Sequence, residues 1–362
     1  MTEAVDVMRK LAPVIALLGA VVLAAPASAV VGGQRVAASS VPWFVGTGIC
    51  GGTLIAPDRI ATAAHCVDPV DMSDLERIEI AGEARRGVRV SLPPTWRTRR
   101  VGFALHDIAI VALDRPVTHV RPVTLPGRDA RTPRKVTVVG RGQINAPRRG
   151  KTALPGLFPP RRATLKTLSD SDCGRLWKRS RTKYRNRFEA KSELCATDRD
   201  GRSPRDSVCA GDSGGPMIGG TLARPILFGV ISWTGPRCGA DRLPSVAADT
   251  RRFHAFLTNP APIWAPVATG PARIMGVPRV GELLTCVLPA WEQAPERVDV
   301  RWLRRTTGAD GAYRLVKVGE GSSYTAVAAD AGKLVDCEAL ASNAGGRTLV
   351  PLAAGSAVRI AG

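Results

Sequence analysis

Ser213 stands in "CAGDSGGPM" (209–217), a hydroxyl held between glycines with the carboxyl of Asp212 beside it. A serine hydroxyl is a weak nucleophile near neutral pH and needs a neighbouring base to take its proton. The chain offers four histidines for that task, His65, His106, His119 and His254. His65 lies in "TAAHC" at the end of an apolar run, and Cys66 after it can pair with Cys50 across "CGGTLIAPDRIATAAHC". A bridge closing a loop of that size stabilises by roughly 3 kcal/mol and would fix the backbone at the histidine. Asp107 opens "DIAIVAL". A carboxylate leading into such an apolar strand is expected to be buried, as an acid that orients an imidazole should be. His106 and His119 have no motif around them and read as ordinary surface or turn residues.

"GDSGG" also satisfies G-x-S-x-G, the turn that presents the nucleophile of α/β-hydrolases. That scaffold needs an acid and a histidine after the serine and a helix directly behind it. Only His254 follows Ser213, and Gly214, Gly215 and Pro216 disfavour a helix. The order histidine, aspartate, serine is the one the chain supports.

Positioning three such groups requires a scaffold. From Val30 to about Leu257, short runs rich in β-branched residues ("TLIA", "RIEIAG", "DIAIVAL", "KVTVVGRG", "PILFGVISW") alternate with Gly, Pro and charged turns, the pattern of an all-β barrel or sandwich. Two segments read as helical: Asp170 to Arg187, and Asp249 to Leu257 with Asp249 or Thr250 as N-cap and Pro260 beyond the end. Residues 258–270, "TNPAPIWAPVATG", have the composition of a semi-rigid linker.

Taken in order, "VVGG" at Val30, "TAAHC", "DIAIVAL", "CAGDSGGP" and "ISW", followed by the terminal helix, resemble the chymotrypsin/trypsin-like serine peptidases over residues 30–258. The resemblance implies two six-stranded Greek-key β-barrels with a C-terminal helix, and a catalytic set of His65, Asp107 and Ser213. It implies an oxyanion hole from the N–H groups of Gly211 and Ser213, Ser232 bonded to the acid, and Ser232 and Trp233 pairing with substrate backbone. In the family an acid placed like Asp212 receives the ammonium of the mature N-terminus, here Val30. The resemblance also implies bridges Cys209–Cys238 and Cys173–Cys195 beside Cys50–Cys66. Its primary pocket would be lined by Ser207, Val208, Thr234 and Ser245. Ser207 stands where trypsin-like members carry aspartate, and Asp206 is one place too early. The implied preference is for small or medium uncharged side chains, with basic-residue cleavage open if a one-residue backbone shift brings Asp206 into the pocket.

The length of 362 residues fits about two domains. Past the linker 259–270, residues 271–362 carry Cys286, Trp302 and Cys337 in the order of an immunoglobulin-like sandwich. Val335 replaces the tyrosine usual two residues before the second cysteine. A structural spacer is the default role for this module; binding to cell wall, polysaccharide or protein is the sharper one.

Residues 1–29 read as a signal peptide: Arg9 and Lys10, an apolar run from Leu11 to Ala25, then Ala27-Ser28-Ala29. Glu3 and Asp6 suit a signal's basic start poorly and leave Met8 as an alternative start to Met1. Cleavage after Ala29 would itself free Val30. Eight cysteines in an exported chain predict four disulfides, and no C-x-x-C spacing suggests zinc. We expect a secreted monomer without metal or organic cofactor, acting on protein or peptide, with no specific nucleic acid and no membrane anchor once mature. The net charge of +20 is carried largely by arginine without a nucleic-acid-binding motif, and reads first as a solvated surface. It also supports the alternative to an enzyme, a catalytically silent homologue that binds anionic cell-envelope polymers or proteins.

Overall fold

Strand formation follows the β-branched runs. In the computed structural model, which describes residues 30–362 apart from 49, 70, 100–102, 144–158, 201–205, 309–311 and 354, nearly every such run is a strand. The expected signal peptide lies outside the described residues. The first sheet runs Glu83–Arg85, Ile78–Ile80, Phe44–Thr47, Cys50–Ala56, Arg59–Thr62, Ala109–Leu113, Gly87–Ser91, all antiparallel. The second runs Gln34–Arg35, Arg161–Thr167, Lys135–Gly140, Pro216–Thr221, Arg224–Trp233, Ser245–Asp249, Glu193–Asp198. Pairing of Arg161–Thr167 with Glu193–Asp198 closes six of these strands into a barrel. Each sheet has seven strands where six were expected, the additions being the two-residue Gln34–Arg35 and the three-residue Glu83–Arg85.

The barrels share a core. Ile60, Ile108 and Ile110 of the first pack in one apolar cluster with Val139, Ile218, Leu227 and Val230 of the second. Because burial of each side chain depends on the other barrel, the seam between them is rigid, and residues placed on it are held accurately.

Both predicted helices are shorter than their patterns. Asp170–Arg179 is capped by Ser169, whose Oγ accepts from Asp172 N at 3.1 Å, and ends at Ser180 in extended backbone. Acids in its first turn and Lys178 and Arg179 in its last match the helix dipole. The second helix is only His254–Leu257. Its expected N-caps are engaged elsewhere: Asp249 ends a strand and holds Arg251, and Thr250 donates to the carbonyl of Leu227.

Among the described residues of 271–362 the regular elements are strands and one short 3-10 turn. Arg273–Met275, Leu283–Val287 and Ser323–Thr325 make one sheet; Tyr313–Glu320, Arg297–Thr307, Leu334–Asn343 and Gly346–Val350 make another, with Val358–Arg359 added to Leu334–Asn343. Cys286–Cys337 bridges the two, and the fully buried Trp302 stacks on Tyr324, an arrangement compatible with an Ig-like sandwich. Where a tyrosine corner would be, Val335 is buried, and the corner is tied instead by Asp330. That carboxylate accepts from Tyr324 Oη at 2.6 Å and Val327 N at 2.9 Å and faces Arg304 at 3.1 Å.

The proline-rich segment expected as a linker is pinned along its length. Arg59 donates to the carbonyls of Asn259 and Pro260, Ser91 Oγ to Ile263 O, and Ala265 N to Val90 O. From the other side Asn343 donates to Trp264 O and Thr348 to Pro266 O. Proline-rich chain leaves carbonyls without internal partners, and here both flanking units supply donors.

Candidate active site

His65 sits in the 3-10 turn Ala64–Cys66 that follows strand Arg59–Thr62, anchored by the disulfide Cys50–Cys66. Asp107 precedes strand Ala109–Leu113, which pairs with Arg59–Thr62, so the sheet register itself carries the acid to the histidine. One carboxylate grips the residue twice: Oδ1 accepts from His65 N at 2.9 Å, and Oδ2 lies 2.6 Å from His65 Nδ1. Ser232, from the second barrel, donates to the same Oδ2. An ionised carboxylate only accepts, so Nδ1 carries the proton and Nε2 is left with its lone pair.

The electrostatics agree. Burial would raise the Asp107 carboxyl, only 3% exposed, but the charge and hydrogen bonds of His65, with the Ser232 hydroxyl, outweigh it and hold it below the usual range. Burial would lower the His65 imidazole, yet the attraction and hydrogen bond of Asp107 prevail and raise it above 6.5. The ring remains 37% exposed and open to an incoming group. Its nitrogen also lies within 4.8 Å of the sulfurs of Cys50 and Cys66, but these are bonded to each other and Nδ1 is taken, so the grouping is poorly suited to hold a metal.

Ser213 arrives from the second barrel on a tight turn in which Asp212 N donates to Cys209 O and Gly215 N to Asp212 O. Gly51 N donates to Ser213 O at 2.7 Å, tying the turn to the strand that begins at Cys50. Gly214 (φ +77°) lies against the first barrel: a Cβ there would stand 2.3 Å from both Gly51 O and Thr62 Oγ1 and 3.1 Å from Ala63 N. The serine is thereby pressed on the segment that leads directly into His65. Gly211 has φ +90°, a conformation that favours glycine. Among the described residues, the N–H groups of Gly211 and Ser213 have no backbone acceptor.

Gly214→Ala should therefore cost about 2–4 kcal/mol, through backbone strain and overlap with an immobile carbonyl. Gly82→Ala, at φ +85° with nothing within 4 Å, isolates the strain alone and should cost about 1 kcal/mol. Urea midpoints of the two variants in an inactive background would test the contact; equal losses would remove it.

Asp212 is fully buried and accepts from Cys209 N and Gly142 N, both at 2.8 Å. Burial is the dominant effect on it and pushes its carboxyl up to about 7. Among the described residues no cationic side chain is paired with it. Val30 is also fully buried, and Val31 beside it pairs with Ser207 as an isolated bridge.

The four residues expected in the primary pocket do gather. Ser207 Oγ donates to Val208 O at 2.9 Å and lies 3.5 Å from Thr234 Oγ1, while Ser245 Oγ accepts from Val208 N at 3.3 Å. Asp206 instead lines a separate groove with Gly32, Gly33 and Arg162, its N–H bonded to Asp198. Bridges Cys209–Cys238 and Cys173–Cys195 are both formed. His106 Nδ1 donates to Thr95 O and packs edge-on to Phe253; His119 pairs with Glu83.

Sequence reasoning missed Glu193. This buried acid accepts from Trp233 Nε1 at 2.9 Å and Glu189 N at 2.7 Å, and burial pushes it up to about 7. Trp233 is further packed on Trp177, ring centroids 4.4 Å apart, so the strand end after Ser232 is held from beneath. The signal was present as a lone acid in the otherwise apolar "ELCA", a strand buried on both faces.

Residues 30–257 match the model of the trypsin family. The chain is similar to serine proteinase stubble of Drosophila melanogaster, 32% identical over 264 residues that cover 66% of this chain and 32% of that protein. It thus spans about a third of that relative's length. It is also similar to trypsin epsilon of Drosophila erecta, 28% identical over 243 residues that cover 64% of this chain and 87% of that protein.

Proposed function

The chain belongs to the trypsin family, and on that ground we propose that it is a secreted serine endopeptidase acting through an acyl-enzyme on Ser213. The observation that carries this reading is the double grip of Asp107 on His65, completed across the seam by Ser232. In the reaction His65 Nε2 takes the Ser213 Oγ proton as Oγ bonds to the carbonyl carbon. The carbonyl oxygen becomes an oxyanion received by Gly211 N–H and Ser213 N–H. His65 returns the proton to the leaving amine as the peptide C–N bond breaks, and water repeats the sequence to release the acid. Ser232 and Trp233 pair with the substrate backbone as an added strand.

A fluorophosphonate probe tests the reading: the wild type should be labelled and Ser213→Ala spared. A folded wild type that stays unlabelled would favour the silent, anion-binding alternative.

The hydroxyl-lined, uncharged pocket of Ser207, Val208, Thr234 and Ser245 supports cleavage after small or medium uncharged residues. Peptide anilides ending in Ala, Val or Leu should be cut at least about tenfold faster than those ending in Arg. Fastest cleavage after Arg would overturn this and bring Asp206 into the pocket.

Maturation follows from Asp212. In the uncleaved chain the Val30 nitrogen is an uncharged peptide amide, and among the described residues the buried carboxyl has no cationic side chain paired with it. Signal cleavage after Ala29 would free an ammonium to pair with it, so export alone yields the active form. N-terminal sequencing of the secreted protein should read Val-Val-Gly-Gly; a start far from Val30 would remove the idea. Export is further supported by the four disulfides.

A further inference from the structure

Asp68 lies three residues after His65, and its side chain is entirely removed from water. Two side chains meet it. Trp96 Nε1, from the same barrel, donates to Oδ2 at 2.5 Å. Arg347 donates twice, Nε to Oδ1 at 3.0 Å and Nη2 to Oδ2 at 2.7 Å, the parallel two-bond geometry that fixes both partners in angle as well as distance. Arg347 belongs to strand Gly346–Val350 of the C-terminal sandwich, 279 residues further along the chain.

The contact sits in a continuous junction. Leu92 N donates to Gly345 O at 2.8 Å, and Ala265 N to Val90 O at 2.7 Å. Gly346 (φ +141°) packs so tightly that a Cβ there would meet the Leu92 side chain at 3.0 Å. A cleft of about 600 Å³ opens beside the ion pair, walled by Trp96 and Arg97 on one side and Arg297 and Asn343 on the other. Beyond the grip of Asp107, the turn that carries His65 is therefore anchored by the Cys50–Cys66 bridge within its own barrel and, past Val67, by an acid whose only cationic partner among the described residues comes from the other unit.

We propose that the C-terminal sandwich is a clamp on the catalytic-histidine loop rather than a spacer, and that Arg347 is a positioning residue for the reaction, acting on His65 through Asp68. The proposal rests on the peptidase reading of His65. A buried carboxylate deprived of its cation must find water or a new partner. Asp68 meets water by shifting toward the cleft that it lines, and the turn that carries His65 would move with it. Displacement of a catalytic group by about 1 Å can cost up to about a hundredfold in rate, so a modest shift of the loop is enough to be seen.

The test uses the full-length secreted chain with Arg347→Met, Arg347→Lys and the double variant Asp68→Asn/Arg347→Met. Active sites are counted by fluorophosphonate titration, so that misfolded molecules do not enter kcat. Arg347→Met should lower kcat per titrated site at least about tenfold with KM nearly unchanged, and should speed amide hydrogen exchange across residues 63–69. Arg347→Lys, keeping charge without the fork, should fall between. The double variant should recover most of the loss, because a neutral amide leaves no stranded charge. Wild-type kcat and unchanged exchange in Arg347→Met, or a lowered Tm with neither altered, would overturn the clamp. Should Arg347→Met fail to fold, the lysine and double variants carry the comparison, and a kcat unchanged in Arg347→Lys with no added exchange counts against the proposal. A wild type that the probe does not label would end the peptidase reading instead; the exchange measurement then judges the clamp alone, increased exchange upholding it and unchanged exchange ending it.

Discussion

Ser213→Ala should hydrolyse peptide substrates about 10⁵- to 10⁶-fold more slowly than the wild type, with its unfolding midpoint almost unchanged. The expectation rests on how the serine is held. Its turn is fixed through backbone bonds, Gly51 N to Ser213 O and Gly214 N to Ile231 O, neither of which uses the hydroxyl. Removing Oγ should therefore leave the turn, the N–H groups of Gly211 and Ser213, and the pocket in place. What disappears is the covalent route, and only the residual acceleration from oxyanion stabilisation and substrate binding should persist. Steady-state turnover of a chromogenic peptide beside a urea titration checks both halves. Retention of more than about one part in a thousand of wild-type kcat would mean that another group attacks the carbonyl.

Asp107→Asn should lower kcat by about four orders of magnitude, the scale known for triad enzymes, and do so without displacing the backbone. An asparagine oxygen can still accept from His65 N, as Oδ1 does now at 2.9 Å. Its amide group, turned toward Nδ1, would donate where the carboxylate accepts, and the ring would carry its proton on Nε2, the nitrogen that must be free to take one. The pH profile should change in a defined sense. In the wild type Asp107 raises the imidazole above 6.5; kcat/KM, which needs the neutral ring, should climb with pH through a midpoint above that value. In Asp107→Asn the attraction is gone while burial, which lowers the imidazole, remains, so the residual activity should titrate at lower pH. A variant with an unmoved acid limb would place the controlling charge elsewhere. The linked effect on stability has the same origin: with a folded pKa above the unfolded one, the His65–Asp107 attraction stabilises fully below pH 6.5 and fades as pH rises through the folded value. The variant should lose that contribution.

The sequence by itself determined the strands, because alternation of β-branched and small residues reads the same in any context where one face is covered. It also singled out His65, Asp107 and Ser213 as the proposed catalytic set, because motif and chain order are properties of the string. It overran both helices, since caps are decided by competition: Asp249 and Thr250 look free in a string and are engaged by Arg251 and Leu227 in space. It read the proline-rich stretch as a semi-rigid linker, since composition reports the stiffness of a segment; the donors that line its path are met only in space. Only the tertiary structure decided that Glu193 props Trp233, that Asp206 lines a groove with Arg162, and that Asp68 meets Arg347. Each brings together side chains far apart in sequence, and its energy depends on distance and on exclusion of water. Neither quantity exists until the barrels and the sandwich have closed on one another.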